Sequence, residues 1–111
     1  MSDTHWRWLI AAVVAVTSCG AASAADIAAG KVKATEVCAA CHGVDGNSTV
    51  QDFPKLGGQH ADYLAKTLRD YQSGLRKNPI MAGFAKTLSK QDIDNLAAYY
   101  GAQAPVVSAT Q

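Results

Sequence analysis

Cys38-Ala39-Ala40-Cys41-His42 is the stretch on which the reading of this chain turns. Two thiols three positions apart, followed at once by an imidazole, form a C-x-x-C-H pattern, the spacing of a c-type haem attachment site. At a helix end, two such thiols can reach the two vinyl groups along one edge of a porphyrin. The next residue, His42, then lies under the iron and offers a neutral ring nitrogen as an axial ligand. The alanines between the cysteines let the backbone come close to the ring. Three other readings account for less. A thioredoxin-like dithiol belongs at a βαβ junction, and the chain has no such pattern. A structural zinc site needs a second ligand pair at knuckle spacing, which His60 and Cys19 do not supply. A disulfide across so tight a loop suits an exported protein but leaves His42 without a role.

Working toward the N-terminus, Arg7 and the free amino group give a weakly positive start, residues 8–16 form an apolar run, and Ala22-Ser23-Ala24 offers an A-x-A cleavage site. The run is too short to span a bilayer. Residues 1–24 therefore read as a signal peptide cleaved near Ala24 or Ala25, which sends the rest of the chain out of the cytoplasm. Val16-Thr17-Ser18-Cys19 also resembles a lipobox, whose cysteine would carry a lipid anchor. Either reading points to the periplasm if the chain is bacterial. No transmembrane anchor is expected in the mature protein.

The chain of 111 residues is one domain at most, and a net charge of +1 is not that of a nucleic-acid binder or a polybasic membrane protein. Frequent alanine and few aromatics lean helical. A mature domain spanning 25–101 is short enough that a staple or cofactor should help hold it together. The spacing predicts three helices. The first covers about 27–37 behind Asp26 as N-cap, with Ile27, Gly30, Ala34 and Val37 on one face. The second covers 61–73, with Leu64, Leu68 and Tyr71 on one face, Tyr63 and Thr67 beside them, and Gly74 as a left-handed cap. The third starts at a Ser89…Asp92 capping box, carries the Ile93, Leu96, Ala97 and Tyr100 stripe, and ends at Gly101. Between them lie a long Gly- and Pro-containing loop, 43–59, of the kind that wraps a ligand, and a second loop, 75–88. The tail, 102–111, has little to bury and is expected to be flexible.

An axially ligated iron has a second position to fill. Apart from Met1 the only methionine is Met81, in the second loop next to Pro79 and Gly83, where its thioether can face the distal side of the ring. His60, at the start of the second helix, is the alternative and reads better as a surface or capping residue. A His42/Met81 pair leaves no open position for oxygen or peroxide and favours ferrous iron, which suits electron transfer rather than catalysis.

Taken in order, C-A-A-C-H at 38–42, F-P-K-L-G-G at 53–58, N-P-I-M at 78–81 and D-I-D-N-L-A-A-Y-Y-G at 92–101 resemble the small bacterial class I c-type cytochromes over nearly all of the mature chain. The resemblance implies an all-α fold: three main helices and long loops around one covalent haem c, with the N- and C-terminal helices crossing. It implies thioethers to Cys38 and Cys41, axial ligation by His42 and Met81, and a Pro54 carbonyl accepting the proton of the other His42 nitrogen. It also implies that Gly30 meets Leu96 and Tyr99. One C-x-x-C-H means one haem, not a dihaem tandem. Arg76 is a candidate partner for a haem propionate, and Lys55, Lys77 and Lys86 for an acidic protein surface. The expected function is a monomeric, non-enzymatic single-electron carrier between membrane-bound or periplasmic redox proteins. The alternatives are a subunit docked to a dehydrogenase or oxidase, and a peroxide- or gas-binding haem protein.

Overall fold

A computed structural model describes residues 24–106. The signal-peptide and Cys19 readings fall on residues 1–23 and lie outside the described residues, as does the end of the tail, 107–111.

Helix α1, Ile27–Lys33, starts where Asp26 accepts a hydrogen bond from the Ala29 N–H at 3.0 Å. It does not stop near 37. It passes through a π-helical turn, Ala34–Cys38, in which the Ala39 N–H bonds back five residues to the Ala34 carbonyl, and continues as α2, Ala39–His42. Gly43, at φ 86°, then turns the chain out of the helix. Helix α3, Ala61–Ser73, ends at Gly74 with φ 82°, the left-handed cap anticipated for it. Helix α5, Lys90–Gly101, opens with the full capping box: Ser89 and Asp92 exchange side chain-to-backbone hydrogen bonds at 3.0 Å.

One element departs from the expectation. The second loop contains a further helix, α4, Pro79–Ala85, so Met81 sits on a helix and not in a loop. Asn78-Pro79 reads as a turn dipeptide, but here it is a helix start. The Asn78 side chain accepts from the Ile80 and Met81 N–H groups at 3.0 and 3.1 Å, and proline occupies the first turn, where its missing N–H costs nothing.

Among the described residues there is no strand, and the architecture is all-helical. Helix α5 is the hub, packed against both α1 and α3. Its Ile93 and Leu96 are each 1% exposed and centre a core that also holds Ala34, Leu64, Ala65, Leu88, Ala97 and both tyrosines. Burying such a branched side chain is worth about 1.5–3 kcal/mol. The crossing of α1 and α5 depends on Gly30. A Cβ there would sit 2.1 Å from the Asn95 carbonyl oxygen and 2.8 Å from Tyr99 Cβ. Of the two contacts expected, Tyr99 is among the nearest atoms, and the closest approach is to the Asn95 backbone in place of Leu96. Asn95 Oδ1 also accepts from the Asp26 N–H at 2.8 Å, tying the start of α1 to α5. On the far side, Gln72 of α3 donates to the Ala85 and Leu88 carbonyls at 2.8 and 2.9 Å and so fixes α4. The start of the tail is held too: residues 104–106 fold back onto the 43–60 loop through hydrogen bonds to Asn47 and Lys55.

Candidate functional site

Between these helices lies a cavity of about 230 Å³. Cys38 and His42 reach it from the π turn and α2, Pro54 from the long loop, Leu64 and Leu68 from α3, Met81 from α4, and Leu96 and Tyr100 from α5. The α3 face anticipated as a hydrophobic stripe, including Tyr63, Thr67 and Tyr71, is in fact a wall of this cavity. Its lining explains why so small a core carries so few large buried residues.

His42 is 7% exposed, and its Nδ1 lies 2.8 Å from the Pro54 carbonyl oxygen. A carbonyl can only accept, so Nδ1 carries a proton, and in the neutral imidazole this leaves the lone pair on Nε2. Phe53 flanks the imidazole with its ring centroid 6.5 Å away. The carbonyl is held out by the loop's own bonding. Gly46, at φ 77°, accepts from both Leu56 and Gly57 N–H at 2.7 and 3.1 Å, and Gly58 N–H donates to the Tyr100 carbonyl at 2.9 Å.

Cys38 and Cys41 are free thiols and half-buried. Burial pushes the Cys38 thiol up, against a smaller opposing pull from the Tyr100 hydroxyl. A reactive dithiol pair needs the reverse, a thiol lowered toward thiolate, so the thioredoxin-like reading finds no support here. Among the described residues no group of three or more His, Cys, Asp or Glu is placed to hold a metal ion by itself. His60 precedes α3, is exposed, and does not line the cavity.

Tyr100 was not singled out beyond its place in a helical stripe. Its hydroxyl donates to the Gly43 carbonyl at 3.5 Å, it lines the cavity beside Cys38, and its phenol is raised well above the ordinary value, by burial first and the Cys38 charge next. Its neighbour Tyr99 donates to the Val44 carbonyl at 2.6 Å and secures the start of the long loop. Adjacent tyrosines on one helix must face different ways, and that is the signal that could have separated them. Arg76 also lines the cavity. It stands 5.3 Å above the Tyr71 ring and donates to the Tyr63 hydroxyl at 3.3 Å; that contact lowers the Tyr63 phenol. Lys55, for its part, donates to the Val106 carbonyl at 3.0 Å.

The donor set fits haem c. A buried imidazole with a fixed tautomer, a thiol beside it and a thioether share one largely apolar cavity, and a second thiol lies one helical turn from the first. An all-helical fold around such a site defines a class of covalent haem proteins. The chain belongs to the cytochrome c family, whose model matches residues 27–100. Cytochrome c4 of Pseudomonas aeruginosa is 48% identical over 81 residues, which cover 73% of this chain and 40% of that protein. Cytochrome c-554(548) of Halomonas halodenitrificans is 42% identical over 83 residues, covering 72% of this chain and 99% of the relative. A protein of Stutzerimonas stutzeri named as a thiosulfate dehydrogenase electron acceptor is 38% identical over 104 residues, 88% of this chain and 47% of its own length. The crystal structure of cytochrome c4 from Pseudomonas stutzeri superposes with a TM-score of 0.70 at 44% identity, covering 76% of this chain and 48% of that one. The chain thus spans less than half the length of the cytochrome c4 relatives.

Proposed function

We propose that this chain is an exported monohaem c-type cytochrome, a single-electron carrier with no catalytic turnover of its own. Cys38 and Cys41 would hold the haem c through two thioethers, His42 and Met81 would ligate its iron, and the Pro54 carbonyl orients His42. The observation that carries this reading is the meeting of Cys38, His42 and Met81 in one cavity, with the His42 proton committed to Pro54. Bound there, haem c supplies an iron that takes up and returns one electron. The residues set the terms. His42 presents Nε2 in a fixed orientation, because its other nitrogen is tied. The Met81 thioether, which lines the same cavity, would favour the reduced metal and leave no position for oxygen or peroxide. Leu64, Leu68 and Leu96 keep water away, which limits rearrangement between the two oxidation states. Among the described residues no helix is long and apolar enough to cross a membrane. The periplasm is the compartment that the signal sequence supports.

The test is an intact mass with a pyridine haemochrome spectrum, followed by optical spectra of both oxidation states. One thioether-linked haem, a red-edge methionine-to-ferric charge-transfer band and no carbon monoxide binding by the reduced protein are expected. Carbon monoxide binding to the parent chain would instead support the gas- or peroxide-binding reading.

A second reading concerns the partner. The relative named as an electron acceptor of thiosulfate dehydrogenase favours docking to a periplasmic dehydrogenase. Exposed Lys77 and Lys86 suit an acidic partner surface. A monomer that purifies alone and reacts with several donors would favour a diffusible carrier; a stable complex isolated from its host would favour the docked subunit.

A further inference from the structure

The C-terminal segment 104–106 lies far in sequence from the haem motif, yet it is bonded to both limbs of the loop that carries Pro54. On one limb, the Asn47 side chain acts as a two-way clip: its Nδ2 donates to the Ala104 carbonyl at 3.0 Å, and its Oδ1 accepts from the Val106 N–H at 2.8 Å. On the other limb, Lys55, next to Pro54, donates to the Val106 carbonyl at 3.0 Å. The clip is itself fixed, because the Asn47 N–H donates to Asp45 Oδ1 at 3.0 Å. Both limbs are pressed close. A Cβ on Gly57 would lie 2.7 Å from the Asp45 carbonyl oxygen and 3.0 Å from Asn47 Nδ2. One on Gly58 would lie 2.7 Å from the Pro105 ring. Pro105, the Gly57-Gly58 pair and the Asn47 amide therefore form a closely packed brace.

We propose that Asn47 is a positioning residue for the haem ligand: through residues 104–106 it braces the limb bearing Pro54, and so holds the hydrogen bond from His42 Nδ1 to the Pro54 carbonyl. This rests on the haem reading above. The direction of the effect follows from that bond. A carbonyl pulling on the Nδ1 proton makes the other ring nitrogen a stronger donor, which favours the oxidised metal. Loosening the brace lengthens the bond on average, weakens that donation and favours the reduced metal. It also lets solvent reach the ring proton more often.

Two variants of the haem-containing full precursor test this: Asn47→Ala, and a stop codon at position 104 that removes the segment but leaves the loop intact. The readouts are solvent exchange of the His42 Nδ1 proton by NMR in the reduced form, and the reduction potential. Each variant is expected to speed exchange about tenfold or more. Each should move the reduction equilibrium several-fold toward the reduced form, a tenfold change being 59 mV for one electron. The combined variant should go no further than the stop variant alone, since that variant already removes every bond of the brace. Variants that melt at lower temperature but keep ring-proton exchange and potential unchanged would overturn the proposal. If Asn47→Ala does not fold, the stop variant decides the matter. Failure of the haem reading shows separately, as a parent chain without thioether-linked haem.

Discussion

Met81 and His42 come to one cavity from elements 39 residues apart in sequence, and their chemistry differs. A thioether is a soft, neutral donor whose loss leaves the other ligand and both thioether bonds untouched. Met81→Ala should therefore retain covalent haem c, lose the methionine charge-transfer band and bind carbon monoxide when reduced. Its potential should fall by on the order of 100 mV, within the ~0.8 V that axial ligands span. Absorption spectra and a redox titration check this; unchanged spectra would remove Met81 from the ligand set. Gly30 makes a structural prediction at the same scale. A methyl group 2.1 Å from the Asn95 carbonyl must push α1 from α5, so Gly30→Ala should cost about 2–3 kcal/mol, read by thermal melting. At this scale the sequence was informative where chemistry sets the spacing. C-x-x-C-H is legible because two thioethers at one ring edge and a ligand under the iron would fix that spacing. The approach of Tyr100 to Cys38 is not, because it depends on where α5 lies.

Three helices here begin at side-chain caps, Asp26, Asn78 and Ser89, and α3 ends at the left-handed Gly74. Asp26, Ser89 and Gly74 were legible because caps are local. Helix α4 was missed because Asn78-Pro79 serves a turn and a helix start equally well, and only seven residues follow before the helix ends. The capping box of α5 gives a pH prediction. The Ser89 backbone N–H stabilises the Asp92 carboxylate and holds it below its ordinary value, with smaller help from the Ser89 hydroxyl and Lys33. A carboxyl depressed in the folded state adds stability that is fully present above its unfolded value, about 3.9, and lost as pH falls through its lower folded value. Ser89→Ala should cost about 1 kcal/mol at neutral pH. Asp92→Asn should flatten the stability profile between about pH 4 and the acid transition, measured by urea melts at stepped pH. An unchanged slope would mean that the box does not govern acid sensitivity.

The described helices surround a cavity. Among the described residues the fully buried large side chains are Ile93 and Leu96, and several other core positions are alanine. So small a core falls short of what backbone ordering costs, about 1–2 kcal/mol per residue, unless a group fills the centre. Cys38→Ser with Cys41→Ser should leave a chain that loses its cooperative melt and most of its helical circular dichroism. Added haem should restore part of both. A doubly substituted chain that melts like the parent would show the fold to be self-sufficient. The helical character was readable in advance from composition and amphipathic spacing, and the crossing of the terminal helices was implied by the family resemblance. The brace by residues 104–106 was not. Its bonds join positions 57 and 59 residues apart through one side-chain amide, which leaves no local pattern to read.

The π-helical turn before the haem motif settles a question of angular phase. Eight positions separate Gly30 from Cys38, and at about 100° per residue an uninterrupted α-helix would carry the thiol some 80° around from the glycine. The wide turn absorbs one residue, so the net rotation is about 700°, within some 20° of two full revolutions. The glycine that lets α1 touch α5 and the cysteine beside Tyr100 of α5 therefore face the same side. The α1 part of the helix stays seated on α5, and the residues beyond it still deliver the thiol to the cavity.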